Sequence, residues 1–213
     1  MPFTLRDAWS TLVSAEDYEA HMAAIGQAQA NAEHVRDFLA FVNPPPGARL
    51  LIAGAGPGQM FDHLDPCVLQ PYRTVFSDIN PRFLARLRER CPAANCVVDD
   101  IERSALNGPF YAVMETLMLE HVDWRKGLAV LTAVQAKYLY LVVQRNPPGM
   151  AAAITPSRTP PGTMRIFAQA QSFLLDLAEL TAALNAAGYE IVSEHPRAVA
   201  DGKTMLGLLA RNV

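Results

Sequence analysis

Charge is scarce in this chain of 213 residues: 18% is Asp, Glu, Lys or Arg, against about 25% in an average soluble protein. The 18 basic and 21 acidic residues leave a net charge of −3. A chain that works by neutralising phosphates is usually basic, so nucleic acid is not the expected partner. Cysteine is scarcer still. Cys67, Cys91 and Cys96 form neither a C-x-x-C pair nor a zinc spacing, which excludes a disulfide framework and predicts reduced thiols in the cytoplasm. No apolar run approaches the roughly 20 residues that cross a bilayer, so no membrane partner is expected. Met1 to Ser10 lacks a basic start followed by an apolar stretch, and no signal peptide is read there. No cluster of metal ligands stands out either, so no metal is expected. What the chain does have is apolar residues, 51% of the total, ample for the core of one domain.

Proline marks the boundaries, because it cannot donate to a ladder and breaks helix interiors. Pro44-Pro45-Pro46, Pro147-Pro148 and Pro156 with Pro160-Pro161 divide the chain. Residues 1–46 read as a helical segment, with Met22, Ile25, Ala28, Ala32, Val35, Leu39 and Val42 on one helix face. Residues 47–144 alternate short apolar runs with helical stretches. Strands are predicted at Arg49 to Ala53, Arg73 to Ser77, Asn95 to Val98, Phe110 to Met114 and Tyr138 to Gln144. Asn80 and Asp123 suit the caps of intervening helices. Residues 145–171 form a long proline-bearing connection, the kind that often serves as a lid. Residues 172–213 close the domain with a helix begun at Asp176 and stopped at Gly188, then two strands, Tyr189 to Ser193 and Thr204 to Ala210. The fold class is therefore α/β, Rossmann-like and doubly wound, with seven mostly parallel strands and a C-terminal antiparallel hairpin.

The strongest local signal is Gly54-Ala55-Gly56-Pro57-Gly58, between a strand and a short helix. Glycine lets the backbone take positive φ and approach a ligand closely. Asp78 stands at the tip of the next strand, where an acid accepts hydrogen bonds from ribose hydroxyls. A dinucleotide fingerprint needs glycine or alanine where this chain has Gln59, which weakens an oxidoreductase reading.

The order of motifs from Arg49 to about Val143 resembles that of class I S-adenosylmethionine-dependent methyltransferases, in particular small-molecule enzymes with Leu-Glu-His-Val after the fourth strand. Here that motif is Leu119-Glu120-His121-Val122. The resemblance implies that Gly54, Ala55, Gly56 and Gly58 lie beside the methionine part of the cofactor, S-adenosyl-L-methionine. It implies that Asp78 holds the ribose and Ile79 packs on adenine. Asp100 would face the adenine amino group, with Ile101 beside it. Two positions depart from the pattern: Ile52 stands where an acid usually precedes the first glycine, and Tyr111 where Asp usually begins the fourth strand. Glu115, next to Thr116 at the end of that strand, is a candidate for the missing negative charge.

His121 is the candidate general base, since histidine titrates near neutrality; orienting the helix that begins at Asp123 would explain it and Glu120 equally well. Tyr18, His21 and Gln27 suit either a pocket wall or a helix surface. Arg145, Arg158, Arg165 and Phe167 of the long connection are candidate substrate contacts. The expected function is methyl transfer to a small-molecule acceptor. Two alternatives stay open: a cofactor-binding pseudo-enzyme, allowed by Ile52 and Tyr111, and a dinucleotide-dependent oxidoreductase.

Overall fold

The computed structural model describes residues 4–150, 160–168 and 173–213. Seven strands form one sheet in the order β3-β2-β1-β4-β5-β7-β6. They are β1 (Arg49–Ala53), β2 (Arg73–Asp78), β3 (Asn95–Val98), β4 (Ala112–Thr116), β5 (Tyr138–Arg145), β6 (Tyr189–Ala198) and β7 (Thr204–Asn212). The first five pair in parallel, and β7 inserts antiparallel between β5 and β6. The expected class and the C-terminal hairpin are both present. β6 runs five residues beyond the expected Ser193, because its alternating exposed and half-buried residues suit a sheet edge with one wet face.

The side-chain alternation of the strands sorts the core into two layers. Leu51, Val75, Val113, Leu139 and Leu141 face α5 (Trp124–Ala133) and α6 (Leu177–Ala186). Leu50, Ile52, Phe76, Met114, Tyr140 and Val142 face the opposite way, towards α3 (Gln27–Val42), with Leu87 of α4 (Pro81–Arg90) in the same layer. The expected helix caps form: Asn80, Asp123 and Asp176 accept from Arg82, Lys126 and Ala178 N–H groups.

The N-terminal segment is more broken than its periodicity predicts. A single turn α1 (Leu5–Asp7) runs into a π-helical turn, Ala8–Leu12, followed by α2 (Ala15–Ala24) and α3. The helix breaks between α2 and α3 because Gly26 adopts φ +76°, a conformation glycine takes without penalty. The bend lets α3 lie on the sheet while α2 reaches over the strand ends.

α3 is tied to the sheet by a buried polar contact, His34 Nδ1 to Tyr140 Oη at 2.9 Å. Gly207 of β7 makes room for it: a Cβ there would collide with the Tyr140 ring and lie 2.9 Å from His34 Nδ1. Gly207→Ala is therefore expected to lower stability by about 1–3 kcal/mol through overpacking, read as a lower urea midpoint with unchanged slope.

Candidate active site

β1 has β2 on one side and β4 on the other, so the chain reverses its winding there and leaves a crevice at the carboxyl ends of the strands. The crevice is an open cleft with about 1390 Å³ of empty space, mouth included.

The glycine turn forms its floor. Gly54, Gly56 and Gly58 all have positive φ, of 64°, 60° and 74°, but they do different work. Gly54 and Gly56 line the cleft. A Cβ on Gly54 would come within 2.9 Å of Met118 Cβ. Gly58 lies away from the cleft, where a Cβ would press on Leu87 of α4. Ala55 borders a smaller cavity behind the turn.

Asp78 fixes this arrangement from the tip of β2. Its carboxylate accepts from Gly56 N–H at 2.9 Å and Asn80 N–H at 2.8 Å. Burial nevertheless pushes its pKa up to about 6, because desolvation penalises the charged form. Ser77, Ile79 and Ile101 line the same wall with Asp99, Asp100 and Glu102. Asp100 is already engaged: one oxygen caps the turn at Glu102 N–H, and the other receives Arg6 Nε at 2.7 Å. Arg6 thus occupies the carboxylate that was expected to receive an adenine amino group.

The end of β4 supplies a different kind of chemistry. Glu115 is fully buried, accepts from Met118 N–H at 3.0 Å and is not among the cleft-lining residues, although Thr116 is. Glu120 does line the cleft, 3% exposed. One of its oxygens accepts from Gln144 N–H at 2.7 Å, and the other has no partner among the described residues. Glu115 likewise keeps one oxygen unpartnered among the described residues. The two buried carboxyls repel, and burial holds Glu115 well above the usual carboxylate range and Glu120 at about 7. His121 lies against Trp9, with ring centroids 4.8 Å apart. Burial lowers its pKa to about 4, so it is a neutral and weak base at pH 7.

The roof comes from the N-terminal segment, as Tyr18, His21 and Gln27 suggested, joined by Trp9, Met22 and Ile25. Asn80 Nδ2 holds it down by donating to the carbonyls of Trp9 and Val13. Glu19 of α2 binds Arg90 at 2.7 Å and Arg86 at 3.3 Å, so these two arginines of α4 anchor α2. Phe167 and Met164 close the rim, whereas Arg145 and Arg165 are not among the lining residues. Arg158 lies outside the described residues.

Trp9 is the residue that sequence reasoning missed, since it belongs to no periodic pattern. Its buried indole N–H has no partner among the described residues, and its ring packs tilted against Phe167 with centroids 4.5 Å apart. Tyr111 proves to be remote. Its N–H donates to Arg49 O at the start of β1, about 13 Å along the strand from the glycine turn at roughly 3.3 Å per residue. It therefore carries no weight against cofactor binding.

The sequence matches no family model and no curated protein. Solved structures share the fold. Magnesium protoporphyrin IX methyltransferase from Synechocystis, with bound S-adenosylmethionine, superposes with a TM-score of 0.64 at 16% identity, covering 87% of this chain and 79% of that one. The 1,6-didemethyltoxoflavin-N1-methyltransferase of Burkholderia thailandensis, with its substrate and S-adenosylhomocysteine, gives 0.61 at 18% identity, over 87% and 78%. The 4+2 cyclase SpnF gives 0.59 at 16% identity, over 84% and 80%. The chain thus has the Rossmann-like methyltransferase fold.

The raised acids of the β4 end make stability depend on pH. A buried carboxyl whose folded pKa exceeds its unfolded value of about 4.5 stabilises fully below that value. This stability is lost as pH rises through about 7. Glu120→Gln keeps an oxygen for Gln144 N–H but cannot ionise. The variant is expected to be more stable than the parent at pH 8, by on the order of 1–3 kcal/mol, with the gap closing at pH 4.5. Thermal melts at both pH values check this.

Proposed function

We propose that the cleft binds S-adenosylmethionine and that the protein transfers its methyl group to a small-molecule acceptor. The observation that carries this reading is the Asp78 carboxylate, held between the glycine turn and the start of α4 in the cleft wall. A carboxylate there suits a vicinal ribose diol. Ile79 and Ile101 offer apolar surfaces for the two faces of adenine, and Asp100 an acceptor for its amino group once Arg6 yields it. Gly54 and Gly56 leave the backbone bare for the amino-acid end. The fit is chemical as well as spatial, because Asn31 and Gln59 keep buried oxygens without partners among the described residues at the smaller cavity, which shares Gly54 and Gly56 with the cleft. The known structures with this fold that contain the cofactor or its product support the same reading.

When bound, the cofactor supplies an electrophilic methyl carbon on a sulfonium. The protein then has mainly to hold the acceptor in line and exclude water, which supplies up to roughly 7–11 kcal/mol in favourable cases. Trp9, Phe167 and Met164 exclude water at the acceptor side. Where the acceptor must lose a proton, Glu120 is the better proton acceptor than His121, since a base works best with a pKa near the operating pH. His121 then serves as a neutral hydrogen-bonding wall beside it.

Calorimetric titration tests the reading. S-adenosylmethionine and S-adenosylhomocysteine are expected to bind at micromolar level, with NADH and FAD silent; silence towards the first pair overturns it. Asp78→Asn is expected to weaken both by about 10–100-fold, the worth of a hydrogen bond to a charged group. Affinity is expected to fall as pH drops through about 6, where Asp78 takes up its proton.

A further inference from the structure

Behind the glycine turn lies a second, smaller cavity, bordered by Tyr18, Asn31, Ile52, Gly54, Ala55, Gly56, Gln59, Met60 and Thr116. Two of these side chains are amides. Asn31, from α3, is 8% exposed, and Gln59, just after the turn, is 4% exposed. Among the described residues the carbonyl oxygen of each amide is buried without a hydrogen-bond partner, while the Gln59 amide also meets the Tyr18 hydroxyl. Gln59 Oε1 would lie 3.3 Å from a Cβ on Gly56, so it overhangs the backbone that the turn leaves bare. Buried oxygens without partners are costly and rare, and a pair of them on one small cavity calls for a donor. Meanwhile Ile52, at the position where an acid was expected, is 1% exposed and packed in the layer beneath α3.

Resting on the proposed cofactor, we propose that Asn31 and Gln59 together form a neutral seat for the ammonium group of its amino-acid end, replacing the carboxylate absent at Ile52. An ammonium carries three donors and no acceptor, which complements two inward carbonyl oxygens. Amide dipoles hold it without a formal counter-charge, so the core position at 52 is free to be apolar. The seat recruits α3, so the helix that covers the sheet also closes the methionine end of the cleft. A seat of this kind reads the amino-acid end of a ligand and is indifferent to its nucleoside.

Two ligands separate this seat from a structural role: S-adenosylhomocysteine, which has the amino-acid end, and 5′-methylthioadenosine, which lacks it. In calorimetry at neutral pH, Asn31→Leu and Gln59→Leu are each expected to weaken S-adenosylhomocysteine tenfold or more while leaving 5′-methylthioadenosine unchanged. Asn31→Asp, of nearly the same shape, is expected to tighten S-adenosylhomocysteine several-fold, again without effect on the truncated ligand. An unchanged affinity for S-adenosylhomocysteine in the leucine variants, as water-filled oxygens would give, overturns the seat. So does an equal loss for both ligands. Failure of either ligand to bind the unaltered protein would instead defeat the cofactor reading itself.

Discussion

The cleft depends on one carboxylate. Asp78 accepts from Gly56 on the β1 side and from Asn80 at the start of α4, so together with the Ala55 N–H bond to Ser77 O it sets the spacing of the two loops. Asn80 extends the constraint by binding the carbonyls of Trp9 and Val13. The tip of β2 thus fixes the floor, one wall and the roof. Holding a charge in this position has a cost, visible in the raised pKa of Asp78. Functional sites tolerate such a cost where it places a hydrogen-bonding group against a ligand.

The fold narrows the function without deciding it. The same architecture appears in two methyltransferases and in a cyclase, as expected where chemistry resides in grafted side chains rather than in the scaffold. What separates such proteins lies above the sheet. Here the roof is aromatic, with Trp9, Tyr18, Phe83 and Phe167 meeting one another and His121. Beneath it, Glu120 is a buried acid with one oxygen unpartnered among the described residues.

Much of the frame could be read from local chemistry. Alternating apolar runs gave the strands, and Asn80, Asp123 and Asp176 marked helix starts, because these signals are encoded within a few residues. The helix break at Gly26 was hidden by an apolar pattern that continues through it. The remoteness of Tyr111 depends on strand register, and its role as a departure from a motif gave no hint of which end of the sheet it occupies. Glu115 and Glu120 are five residues apart and similar on paper. Only folding buries both while exposing one of them to the cleft. Asn31 and Gln59 are distant in sequence, and their shared cavity exists only once α3 packs against the short helix that begins at Gln59.

The central claim is that the wall built on Asp78 is a cofactor site, and a crystal structure with S-adenosylhomocysteine tests it most directly. The account predicts ribose hydroxyls on the Asp78 carboxylate, adenine between Ile79 and Ile101, and the amino-acid end over Gly54 and Gly56 towards Asn31 and Gln59. A ligand seated elsewhere, or with its ribose away from Asp78, would contradict it.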